Sequence, residues 1–250
     1  MFEGTDASTI AKRLATIDEP LRLLVTEVTL DMSPAMEAII RTAFPNARLV
    51  TDRFHVQQLV SNAVQELRIA YRREAQKEEN EALKTARNEG RRYVPPVYEN
   101  GDTKRELLAR SRYLLFKPKS AWTERQEKRA EILFREYPTL KRAYDFSILF
   151  RACYEQSDTK KEAKEKLKAW YEKVTTSGID EFLVPAETIR VHQETILNYF
   201  VNRSTNAGAE SFNAKLKNFR AVVRGIRDKK FFLFRISVLY GKRNHLCFCV

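Results

Sequence analysis

The sequence predicts an α/β fold that is mostly α, with a small strand, helix, strand segment near the N-terminus and a long helical body behind it. Three observations carry this. Two short runs rich in Leu, Val and Thr, residues 21–30 and 47–52, flank a helix-patterned stretch that opens with Ser33-Pro34. From Phe54 to about Asn88, apolar residues recur at helical spacing amid dense mixed charge. The same periodicity resumes at Thr103 and runs to about Val174.

Taken in order, Thr9 to Ile17 reads as a short amphipathic helix with Ile10, Leu14 and Ile17 on one side, ended by Pro20. Leu21 to Leu30 reads as a buried strand, bounded by Pro20 and Asp31. Ser33 is a good N-cap and Pro34 suits the first helical position, so a helix should run to about Phe44, where Pro45-Asn46 stops it. Ala47 to Asp52 is the second strand. Two strands joined through a helix within so few residues make a right-handed crossover with parallel strands. Both strands end in an aspartate. Gly90 to Gly101, with Pro95 and Pro96, is a loop, and Gly178 and Pro185 punctuate the helical body. A helix from about Ala186 to Phe200 precedes the polar segment VNRSTNAGAESFNAKLKNFR. No internal repeat or low-complexity linker interrupts the pattern.

Composition bounds the function classes. The chain has 45 Lys and Arg against 33 Asp and Glu, a formal charge of +12, which favours a polyanionic partner and nucleic acid first. Charge alone names no reaction, and runs such as Lys160 to Lys168 read as solvated helix faces. Three cysteines make no disulfide framework, which fits a reducing compartment. His245 beside Cys247 and Cys249 lacks a fourth ligand and finger-like spacing, so it reads as a chain end rather than a metal site. No apolar run reaches the roughly 18 residues a membrane helix needs, and no export pattern opens the chain. A cytoplasmic protein without a membrane partner is expected.

The most informative segment is the helix expected from an Asn206 N-cap toward Arg224. At about 100° per residue, Glu210, Lys217 and Arg224 share one side, with Asn213 and Arg220 near, and Phe212, Leu216, Phe219 and Val223 take the other. One face would pack while the other presents a carboxylate above a row of cations, as a metal ligand beside a phosphate track requires. Periodicity fits equally a surface helix whose Glu210 satisfies the helix dipole. Asp31 lies where a strand's carboxyl end meets a helix, the place where α/β sheets gather functional side chains, although position alone suits a turn or capping aspartate. Asp52 and His55, in DRFH, read either as an N-cap and a first-turn polar residue or as a pair supporting a metal site.

These pieces, VTLDMSPAMEAIIRTAFPNARLVTDRFHVQQLVSNAV and ILNYFVNRSTNAGAESFNAKLKNFRAVVRGIRD with the helical stretch between, resemble insertion-sequence transposases of the DDE class. The likeness is to the branch whose ribonuclease-H-like domain carries a helical insertion, and it covers most of the chain. It implies a partial ribonuclease-H-like core in residues 1–62, a helical insertion in 63–200 and C-terminal catalytic-domain helices in 201–250. It implies that Asp31 is the second carboxylate of the triad and Glu210 the third, both catalytic and both metal ligands. DRFH resembles the motif of Asp or Cys, two residues, then His, which puts Asp31 ahead of Asp52 as ligand and leaves the reverse assignment open. Lys217 matches the basic residue two turns past the glutamate, with Lys215, Arg220 and Arg224 as further DNA contacts. The first aspartate of the family's hairpin finds no counterpart, since neither Asp6 nor Asp18 lies on a strand pattern, and a truncated frame is implied.

The resemblance implies cleavage of DNA at transposon ends and joining to target DNA, with two Mg²⁺ (or Mn²⁺) ions in a complete site and a homo-oligomer in the complete protein. It places the protein at the nucleoid and leaves this chain inactive alone. The competing reading is a non-catalytic helical DNA-binding protein that interferes with an intact transposase. The catalytic reading asks that Asp31 and Glu210 approach within about 4 to 8 Å.

Overall fold

The computed structural model describes residues 6–240. His245, Cys247 and Cys249 lie outside the described residues. The chain divides into two units, residues 1–52 with 202–250 and residues 53–201.

The first unit opens with α1 (Ala7–Leu14), capped by Asp6, whose carboxylate accepts from the Thr9 amide at 2.9 Å. The run expected as one strand from Leu21 is split: Glu19–Leu23 forms a short helix, α2, and only Glu27–Leu30 is strand β1. The reason is local and tertiary together. Pro20 occupies the first turn of α2, where its missing amide proton costs nothing. Arg22 then donates to the carbonyls of Ile17 (3.0 Å) and Ala43 (3.2 Å), which holds the turn in place. Helix α3 (Pro34–Ala43) starts as its sequence predicts, with the Ser33 hydroxyl accepting from the Met36 amide. Strand β2 (Arg48–Thr51) pairs in parallel with β1, Glu27 opposite Arg48 through Leu30 opposite Thr51. Leu14, Ile39, Ile40, Ala43, Phe44 and Leu49 form the core that α1, α3 and the strand pair share.

The second unit begins with α4 (Arg53–Asn88), 36 residues long, or about 54 Å at 1.5 Å per residue. Its Gly90 to Gly101 sequel is the loop anticipated. The helical stretch after Thr103 is broken into α5 (Lys104–Arg110), α6 (Glu124–Glu136), α7 (Pro138–Glu155) and α8 (Lys160–Thr175), with two 3₁₀ turns between α5 and α6. Capping boxes at Thr103/Glu106 and Thr123/Gln126 start α5 and α6. The helix expected from Ala186 to Phe200 is three pieces, α9 (Leu183–Val191), α10 (Gln193–Leu197) and α11 (Tyr199–Asn202). Aromatic packing ties the unit together: Phe150 meets Trp170 edge-on at 5.0 Å, and the Trp170 indole donates to the Phe146 carbonyl at 2.9 Å. Among the described residues no helix is long and apolar enough to cross a membrane. The fold is therefore α/β and mostly α.

One buried carboxylate anchors the loop before α5. Asp102 has a side chain only 1% exposed and accepts from Arg129 Nε at 2.7 Å, from Arg110 Nη1 and from Asn100 Nδ2 at 2.8 Å. Burial alone would raise its pKa, but the hydrogen bonds from Arg129 and then Arg110 outweigh this and hold it below its ordinary 3.8. A carboxyl lowered on folding stabilises above its ordinary value and loses that contribution as pH falls through the lowered one. Asp102→Ala is expected to cost about 3 to 5 kcal/mol, since it strands Arg129, and to flatten the loss of stability below about pH 4. Urea unfolding of both proteins across the acid range checks this, and a variant as acid-labile as the wild type would remove Asp102 as the anchor.

Candidate metal and DNA site of the first unit

The parallel register decides where the two strand-end aspartates go. Because Leu30 pairs with Thr51, Asp31 and Asp52 are the next aligned positions, roughly one strand spacing of 4.8 Å apart at the backbone. The Asp52 amide continues the ladder by donating to the Leu30 carbonyl at 2.8 Å. Burial separates them. Asp52 is 2% exposed, while Asp31 is exposed beyond the end of β1.

Glu210 comes from helix α12 (Ala207–Val222), in its first turn. The Glu210 amide donates to the Asn206 carbonyl at 2.9 Å, so Asn206 starts the helix with its backbone, and its side chain makes no capping bond. Just ahead, Asn202 Nδ2 donates to a Glu27 carboxylate oxygen at 2.9 Å, tying the approach to α12 onto β1. Sequence reasoning missed that bond, which joins residues 175 apart and leaves no local signal. Carboxylate oxygens of Asp52 and Glu210 lie within 4.8 Å of each other. His55 follows three residues past Asp52, in the first turn of α4. The carboxylate that converges with Glu210 is thus Asp52, and Asp31 stands in the neighbouring register position outside that group.

Paired carboxylate oxygens are donors that hard divalent cations accept. A family model described as Transposase, DDE_Tnp_ISL3, matches residues 1–236. The chain belongs to this transposase family. No curated protein and no solved structure matches it. Membership brings DNA as substrate and a divalent metal as the family's general requirement, and the Asp52 and Glu210 oxygens fit one.

The transposase's α12 carries Lys215, Lys217 and Arg220 exposed to solvent, with Lys217 two turns beyond Glu210 on the same side. The opposite side is less covered than its periodicity suggests. Phe212, Leu216 and Phe219 are half-buried, Val223 is 43% exposed, and no residue of α12 is fully buried. Phe219 stacks on Phe232 at 5.6 Å, and Phe212 meets Tyr240 edge-on at 6.1 Å, so the apolar stripe rests on α13 (Lys229–Tyr240). Past the helix end, Arg224 adopts φ 53° and Gly225 φ 111°. Arg224 occupies the left-handed position where glycine is the usual choice, at a steric cost of about 1 kcal/mol. Arg224→Gly is therefore expected to raise stability by up to about 1 kcal/mol, read as a higher unfolding midpoint. A lower midpoint would mean the side chain makes contacts that outweigh the strain.

Proposed function

We propose that the chain takes part in metal-dependent cleavage of DNA strands at the ends of an insertion sequence and their joining to target DNA. The observation that carries this is the approach of Asp52 and Glu210 to within 4.8 Å at the carboxyl end of the parallel strands. Mg²⁺ or Mn²⁺ suits these oxygen donors, and when bound such an ion supplies Lewis-acid charge at a phosphodiester.

Exposure sorts the roles. Asp31 and Glu210 face solvent, where a DNA-bound cation arrives, and Asp52 at 2% exposure backs them from within the fold, with an oxygen within 4.8 Å of one of Glu210's. Asp31 and Glu210 are thus the proposed catalytic ligands, and Asp52 with His55 the supporting pair. Lys217 holds a transposon-end phosphate beside Glu210, and Lys215, Arg220 and Arg224 extend that track. Asp31 and Glu210 would supply two of the family's three catalytic carboxylates, so a balanced two-ion site asks for a third, from another copy or chain. The chain by itself is expected to bind metal and DNA without efficient cleavage.

Mn²⁺ binding followed by electron paramagnetic resonance tests the assignment. Glu210→Gln and Asp31→Asn are expected to weaken binding tenfold or more, and Lys217→Gln to leave it unchanged while weakening DNA binding. Loss in Asp52→Asn with no change in Asp31→Asn would exchange the two aspartates' roles. Unchanged affinity in Glu210→Gln would sink the metal site altogether.

A further inference from the structure

A cleft of about 690 Å³ lies within the helical unit, walled by one face of α4 and by the chain just after α5. Its walls bring four arginines together, Arg68, Arg72, Arg73 and Arg112, with Glu66 the one carboxylate among the lining residues. Arg68 is 5% exposed. Its Nε donates to the Gln65 side-chain oxygen at 2.7 Å and its Nη1 to the Leu108 carbonyl at 2.9 Å, and Gln65 is itself fixed by donating to the Arg112 carbonyl at 3.1 Å. Arg72, Arg73 and Arg112 are exposed.

This arrangement is costly without an anion. A buried guanidinium normally meets a carboxylate, as Asp102 meets Arg110 and Arg129 in the same unit. Among the described residues none of the four cleft arginines forms an ion pair. Burial, then the charges of Arg72 and Arg112, lower the proton affinity of Arg68. The two neutral acceptors hold its planar fork in one orientation, and a fixed fork matches the oxygens of a phosphate. Helical spacing aligns Arg68 and Arg72 one turn apart, about 6 Å along α4, so the charges form a track rather than a point.

We propose that this cleft binds the phosphate backbone of DNA, as a contact site built by the helical unit alone. Arg68 is the buried anchor, and Arg72, Arg73 and Arg112 hold adjoining phosphates. The inference rests on the transposase reading only in naming DNA as the polyanion. Non-specific backbone contacts of this kind are read as a salt slope, each adding about 0.9 to the dependence of log Kd on log salt for duplex DNA.

The experiment is fluorescence anisotropy of a labelled duplex with the full chain, in chelator so that no metal-dependent event contributes, over a salt series. Arg72→Gln/Arg73→Gln/Arg112→Gln removes three exposed charges and leaves Arg68 and the fold in place. Its expected salt slope is lower by about 2.7, with affinity at about 0.1 M salt reduced on the order of 100-fold. Lys161→Gln/Lys164→Gln/Lys168→Gln, three exposed lysines of α8, makes the same change in net charge and is expected to lower the slope by less than one. Arg68→Gln, checked for native unfolding, should weaken binding further than any single exposed variant. Equal losses in the two triple variants would reduce the cleft to bulk charge and overturn the proposal, as would a wild type that does not bind. A wild type stabilised by inorganic phosphate alone, with no DNA binding, would assign the cleft to a free anion and also overturn it. None of these outcomes touches the Mn²⁺ result, so the cleft and the carboxylate site stand or fall separately.

Discussion

Two strands of four residues each, paired in parallel, are the constraint on which the first unit's chemistry depends. Parallel pairing requires a crossover, supplied here by α3, and it sends both strand ends the same way. Asp31 and Asp52 therefore share one edge although 21 positions separate them in sequence. An antiparallel hairpin of the same strands would put them at opposite ends. With no third strand beside them among the described residues, the pair is held by the Leu14, Ile40 and Leu49 core and by Arg22 reaching the Ala43 carbonyl. Asn202 bound to Glu27 fixes the chain that leads into α12, and so the height at which Glu210 arrives.

The helical unit treats its buried charges in two ways. Asp102 is surrounded by Arg110, Arg129 and Asn100, so its cost of burial is offset within the fold. Arg68 has only neutral acceptors, Gln65 and Leu108, which orient the guanidinium without neutralising it. The first arrangement is a structural anchor, the second a charge held ready for something outside the chain. The +12 net charge, which as a sum implies only diffuse attraction, thus acquires a location.

Local chemistry was readable wherever a few adjacent residues decide the outcome. Ser33-Pro34 and Asn206 both marked true helix starts, and the Gly90 to Gly101 loop lay where glycine and proline placed it. The exception in the first unit is the run from Leu21, where apolar β-rich composition pointed to one strand and a proline-led turn of helix took its first half. Strand length is set by the partner available, and β2 offers only four residues. Helix breaks after Thr103 were less legible, because the capping box at Thr123 looks like ordinary polar residues within a continuous periodic pattern.

By itself the sequence determined the α/β, mostly helical class, the two aspartate-ended strands, the glutamate and lysine sharing one side of α12, and the transposase likeness. Each of these follows from periodicity, capping or a contiguous motif, all written over a few neighbouring residues. Tertiary structure decided which aspartate converges with Glu210, how buried each is, and which of the basic residues stand together without an ion pair among the described residues. Convergence and desolvation depend on atoms brought together from distant parts of the chain, so no local pattern encodes them.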